Sequence, residues 1–374
     1  MAPSARTRRL RWSAPFAAAA AIALIVAIPG LSAAASPTLP PISPQQLLVK
    51  AQQAKVGDLS GTINLRPNLG IPNLGALSDA ATGGGHGRPA FSPTSLLSGS
   101  HQALVWFAGP DKARIALLQD MAETDVVHNG HDVWMWDSTS KKVTHYTLAA
   151  RADTGTPEAA SSPAEPVKTP QQLANDLLAQ VTPSTSVSVG APIRVAGQKA
   201  YQLILAPRAT ASTIDHVVIA VDSVTSLPLD VQIFAKGQKS AAITLGFSSI
   251  KYATPAASNF AFKAPPGSTV TNKTLGGSHP ATDPTKPAGP NNATGTNHSV
   301  TVGQDWTSVA IFGPVQIPKQ LTEYLNAASS VSGPFGHGKL LGTSLVNVLV
   351  LDDGRVAVGA VNASALEAAV AAAH

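Results

Sequence analysis

The chain has 374 residues, 44% of them hydrophobic and only 13% charged, with 30 glycines, 30 prolines and no cysteine. That length suits two domains rather than one. The missing cysteine excludes a disulfide scaffold, a thiolate nucleophile, a thiolate zinc site and a lipid-modified N-terminal cysteine. The formal charge of +5 owes most to Arg6, Arg8, Arg9 and Arg11; without these four it is +1, so no basic stripe offers nucleic acid a footprint.

The first segment reads as an address. Residues 1–15 are basic, Phe16 to Ile28 are apolar, Pro29-Gly30 breaks the run, and Ala33-Ala34-Ala35 forms an A-x-A cleavage site. Residues 1–35 are therefore expected to be a signal peptide or an uncleaved N-terminal anchor. Arg8-Arg9 is followed by Arg11, where a twin-arginine signal has an apolar residue. The chain beyond is expected to be exported to the cell envelope, secreted or held by the anchor.

Residues 36–44 are Pro-rich and predicted extended. A helix follows from Ser43 to Val56, with Ser43 as N-cap, Pro44 at N1 and Leu47, Leu48, Ala51 and Ala54 on one stripe. The same capping solution recurs at Thr169-Pro170 and predicts a helix to Val181, with Leu173, Leu177 and Leu178 on one side. Between and after these helices the period switches to two. Strands are predicted at 61–66, 101–108, 113–118, 125–128, 132–137, 142–148, 186–189, 199–206, 216–222, 228–235 and 242–252. Asn129-Gly130 predicts a hairpin whose two central residues take positive φ. The pattern describes a large antiparallel sheet with helices on one face, an α+β fold.

Three segments fall outside that core. Residues 66–100 interrupt the first hairpin with a Gly/Pro/Ser-rich insertion that keeps scattered leucines. Residues 150–168 are a polar loop. Residues 271–300 read as a flexible linker. Residues 301–374 then form a small α+β domain. Its predicted parts are a strand at 307–312, a helix at 318–328, a hairpin at 345–361 across Asp352-Asp353-Gly354, and a closing helix at 364–373. At that size it is marginal alone and is expected to dock on the larger domain.

No motif in the sequence carries catalysis. Ser138-x-x-Lys141 and Ser248-x-x-Lys251 match half of a serine–lysine motif but lack its companions. No nucleophile elbow, phosphate loop, zinc-protease helix or carboxylate pair is present. His128, His131 and Asp132 surround a turn; they could offer metal ligands, but exposed turn histidines are the simpler account. The expectation is a non-enzyme with no cofactor and no metal. What stands out is apolar. Leu104 and Trp106 share one strand face, Trp134 and Trp136 another, and Leu203 and Leu205 a third. These six, with Leu173 and Leu177 on a lid helix, are the expected wall of a cavity for a greasy ligand; an ordinary packed core is the competing account.

The order "LSGTI", "VWFAGPDKARIALL", "DVVHNGHDVWMWDSTSKKVTHY", "KAYQLILAPR" and "FSSIKYATPAASNFAFKAPPGSTV" resembles the LolA-like lipoprotein-carrier superfamily over residues 43–270. The resemblance implies a half-open antiparallel β-barrel with helices on its concave face, and a carrier that shelters lipid or lipoprotein acyl chains. An ABC transporter would be a partner. The end, "VLVLDDGRVAVGAVNASALEAAVAA", is similar to the small C-terminal domain of RseB-like regulators, although Ala360 and Asn362 stand where an acidic residue and a proline are usual. That implies an alternative: an envelope-stress regulator that senses a lipidic ligand and binds an anti-sigma factor through this domain.

Overall fold

The structure is a computed structural model and describes residues 37–54, 57–70, 99–119, 122–148, 184–275, 299–315, 325 and 328–373. The signal segment, the 169–181 helix and nearly all of the 318–328 helix lie outside these. Among the described residues no helix is long and apolar enough to cross a membrane.

Helix α1 spans Pro44–Gln53. Its start follows from the sequence: Ser43 Oγ accepts from the Gln46 N–H at 3.2 Å, and the Gln46 side chain accepts from the Ser43 N–H at 3.1 Å. This reciprocal pair satisfies two donors that the first turn leaves orphaned. Leu47 and Ala51, one turn apart, are the residues it buries.

Twelve strands form one open sheet. They are β1 (Leu59–Pro67), β2 (His101–Phe107), β3 (Lys112–Gln119), β4 (Ala122–Asn129), β5 (Asp132–Asp137), β6 (Lys142–Leu148), β7 (Thr185–Val195), β8 (Gln198–Pro207), β9 (Ile214–Asp222), β10 (Pro228–Ala235), β11 (Ile243–Lys251) and β12 (Thr269–Leu275). The spatial order is β12-β6-β5-β4-β3-β2-β1-β11-β10-β9-β8-β7. Every predicted strand of this domain is present. The long insertion after β1 does not disturb the β1–β2 pairing, in which Ile63 faces Ala103. β7 also approaches β11, so this end of the sheet curls over itself without closing.

Three expectations need correction. The turn after β4 is Gly130-His131, and of the two only Gly130 has positive φ (64°). This is the hairpin with glycine first rather than the one with two positive-φ residues. The latter occurs at Ala196-Gly197, at 48° and 82°. Second, the sheet does not end at residue 270. Thr269–Leu275 forms β12, which pairs in parallel with β6. Its polar, β-branched residues suit an edge strand wetted on one side. Third, residues 307–312 are a short 3₁₀ turn (Asp305–Thr307) and then strand β14 (Val309–Phe312), not one strand.

The second sheet holds β13 (Ser299–Val302), β14, β15 (Ser329–Gly333), β16 (Gly336–Gly342), β17 (Asn347–Leu351) and β18 (Val356–Gly359) in the order β13-β14-β18-β17-β16-β15. The β15–β16 hairpin, Gly- and Ser-rich, escaped sequence reading. Helix α2 (Ala363–Ala372) is capped by Asn362, whose Oδ1 accepts from the Ala365 N–H at 2.9 Å. It buries Leu366 and Val370 against Val309, Ile311, Leu349 and Ala357.

This domain does dock on the first. Backbone bonds join Thr213 to Ala360 and Asn362 to Ala211 at 3.0 and 2.8 Å. Leu345 packs on Leu69, Ala235 and Ala242. Trp306, on the 3₁₀ turn, joins the core of the large sheet.

Candidate functional site

Side chains on a strand alternate between faces, and directly opposed residues share one. The register therefore assigns every residue to a face. Val187, Leu205 and Val217 are opposed in turn, as are Leu203, Ile219, Val231, Leu245 and Leu65. The same face continues through Ile63 and Ala103 to Leu117. Call it the inner face, because α1 lies on it. Leu104 is opposite Ala116, Trp106 opposite Arg114, Arg114 opposite Val127, and Val127 opposite Trp134; Trp136 faces Asp125. All these lie on the outer face.

The expected wall is thus split. Leu203 and Leu205 are on the inner face; Leu104, Trp106, Trp134 and Trp136 are behind it. One surface cannot hold both sets, because a backbone layer separates them. Leu173 and Leu177 lie outside the described residues.

The inner-face pair is also fully buried. Leu203 and Leu205 sit with Val217, Ile219 and Val231 under Leu47 and Ala51 of α1 and under Trp306. The Trp306 Nε1–H donates to Thr185 Oγ1 at 2.7 Å, so the indole is buried with its one polar atom satisfied. Ser184 adds a bond to Asp305 at 3.0 Å. This half of the face is a core shared between the two domains.

The tryptophans behind the sheet have their own cover. The segment between β11 and β12 crosses the outer face, burying Phe260 near β3 and β4. Phe262 stacks on Trp134 at 5.4 Å, and Trp134 stacks on His145 at 3.7 Å. His145 Nε2 meets Asp132 Oδ1 at 2.6 Å, and its Nδ1 meets Asn272 Oδ1 at 3.2 Å, tying β12 to β6. Trp106 lies under the Arg114 guanidinium, 5.2 Å from its ring centre. Arg114 forks onto Asp125 with bonds of 3.2 and 2.7 Å, and Glu123 stands 3.8 Å away. Burial and then the Asp125 charge push the Glu123 carboxyl above its ordinary range. His128 turns Nε2 onto Gly130 O at 2.8 Å. Among the described residues no three His, Asp or Glu side chains converge as metal ligands.

One open space lies elsewhere. A cleft of about 850 Å³ lies between the Pro-rich segment and α1. Leu39, Pro40, Pro41, Ile42, Val49 and Tyr201 give it apolar walls, and Gln45, Gln46, Lys50 and Ser223 give it polar edges. Tyr201 forms part of the inner face of β8, and its hydroxyl donates to Pro40 O at 3.0 Å, fixing the segment over the sheet. Leu39 and Ile42 also pack on the shared core. The sequence predicts the 36–44 segment to be extended and assigns it no part in a site. The available signal was that its apolar residues alternate with prolines, which hold the chain extended and keep side chains free to line a groove.

No family model and no curated protein matches the chain. Solved structures resemble it. One is the complex structure of Pseudomonas aeruginosa MucA/MucB, at 18% identity, covering 87% of this chain and 94% of that one with a TM-score of 0.43. Another is a LolA superfamily protein from Nitrosomonas europaea, at 10% identity, covering 59% and 99% with a TM-score of 0.23. A third is an outer membrane lipoprotein-sorting protein domain from Vibrio parahaemolyticus, at 13% identity, covering 58% and 97% with a TM-score of 0.24.

Proposed function

We propose that this chain is an exported, non-catalytic binding protein that shelters the acyl chain of a lipid or lipoprotein in the cleft beside α1. The cleft itself supports the reading. Its volume of about 850 Å³ falls in the range of small-molecule sites, about 300–1,000 Å³, and six of its lining residues are apolar or aromatic. Burying methylenes gains about 0.8 kcal/mol each. A chain of about sixteen carbons thus gains about 13 kcal/mol before ordering costs, enough for capture with no charge in the wall. Lys50 stands at the edge, where an anionic headgroup would remain in water.

Native mass spectrometry of residues 36–374 purified from its own envelope, with organic extraction, tests this. A co-purifying acylated species is the expected result. An apo mass with no uptake of offered fatty acid overturns it. Ile42→Asp should abolish uptake, whereas Trp134→Ala, behind the sheet, should lower thermal stability and leave uptake intact.

A regulatory reading, with an anti-sigma factor or other membrane partner, draws on a different observation. Trp306 ties the small domain to the core that also carries Tyr201 and α1, so occupancy and docking would be coupled. A partner pull-down that changes with ligand favours it.

A further inference from the structure

Six large apolar side chains are exposed among the described residues, and three of them gather at one place. Val224 is 88% exposed, more than any of the others. It follows Ser223, which lines the cleft, and it forms the tip of the turn between β9 and β10. Val49, at 47%, lines the cleft from α1. Tyr252, at 38%, braces the same turn from the end of β11.

The turn is built to hold Val224 out. Asp222 is buried, and its Oδ1 accepts the N–H groups of Val224 and Thr225 at 2.7 and 3.1 Å. Its Oδ2 accepts the Tyr252 hydroxyl at 2.7 Å. The Ser223 N–H donates to Lys199 O at 2.9 Å, and Ser226 takes a φ of 62°. A loose loop would let an isolated valine fold back onto apolar surface; this one is pinned at four points.

Among the described residues, the charges around it toward solvent are mostly positive. Lys50 edges the cleft, Lys251 precedes Tyr252, and Arg194 and Lys199 oppose each other on the hairpin that braces the turn. All four are exposed. Asp222 has both oxygens engaged inside. Asp58, exposed near Thr254, adds one negative charge, held by the Gly109 N–H and the Thr254 hydroxyl that it accepts from. An apolar tip with four exposed cations on the neighbouring elements matches a lipid–water boundary with anionic headgroups.

We propose that this rim docks on an anionic lipid surface, with Val224 entering the headgroup level and the cleft mouth held against the membrane. The proposal rests on the apolar-ligand reading of the cleft and adds where the ligand is picked up or delivered. The chain has no cysteine, so Val224→Cys accepts a single environment-sensitive fluorophore. With vesicles of equal phosphatidylglycerol and phosphatidylcholine, its emission should rise several-fold, with little change on phosphatidylcholine alone. A label at Val300→Cys, exposed on the second domain, should stay dark. Val224→Glu and Lys199→Glu should each weaken flotation with the anionic vesicles about tenfold, while uptake of a soluble fluorescent fatty acid is unchanged. No rise at 224, or an equal rise at 300, overturns the docking. Vesicle insertion at 224 with no fatty acid uptake by the unmutated protein would sink the cleft reading and leave the docking standing.

Discussion

Two stretches of the inner face are built alike and finished differently. Over β7 to β10, Leu203, Leu205, Val217, Ile219 and Val231 are fully buried under α1 and Trp306. Over β4 to β6, Val126, Val133, Met135 and Tyr146 occupy the same face and are only half-buried. Among the described residues nothing bonds the buried Thr124 hydroxyl on that second stretch. The sequences of the two stretches do not foretell this: both alternate, and both are rich in β-branched and aromatic residues. Among the described residues, what differs is the cover. One stretch receives a capped helix from before the sheet and a tryptophan from after it. The lesson is that a sheet face becomes core only where a second layer lands on it.

Substitutions can break that contrast. The largest effect is expected from Leu203→Ala, about 2–5 kcal/mol by chemical denaturation, since it leaves a cavity in a sealed core. Met135→Ala should cost about 1 kcal/mol, because only part of its side chain leaves water on folding. Equal losses would erase the contrast. Thr124→Val keeps the shape and removes an unpaired hydroxyl, so it should gain about 1 kcal/mol. A loss would mean that the hydroxyl is partnered in solution. The smallest effect concerns Asp230, on the back of the sealed stretch. Burial holds its carboxyl above the ordinary value of 3.8, while Gln232 and Arg66 pull the other way. The folded state therefore binds this proton more tightly than the unfolded state. Its contribution to stability falls as pH rises from 3.8 through the raised value. Asp230→Asn should flatten that part of the melting-temperature profile against pH, raise stability at neutral pH, and make no difference in acid.

Much of the fold was legible. The Ser43 N-cap and the strands and hairpin positions from residue 101 to 148 are local features, set by capping and turn chemistry and by period two. The candidate site was legible only in part. The tryptophans drew attention by size, yet Trp106 packs under Arg114 and Trp134 between Phe262 and His145. The cleft uses residues 39–42, which looked like a mere approach to the helix. β12 was hidden by its polarity, and Trp306 by its position just beyond the linker.

The amino-acid sequence by itself determined most of the strands, their hairpin neighbours in the large sheet and the Ser43 helix cap, because each depends on interactions within a few residues. The tertiary structure alone decided which parity of each strand faces inward, that β1 is flanked by β2 and β11, that β12 runs parallel to β6, and that Trp306 closes the core of another domain. The reason is physical. When both faces of a strand carry apolar residues, alternation fixes the two sets but not their sides, and sides are chosen only when distant segments arrive to bury one of them.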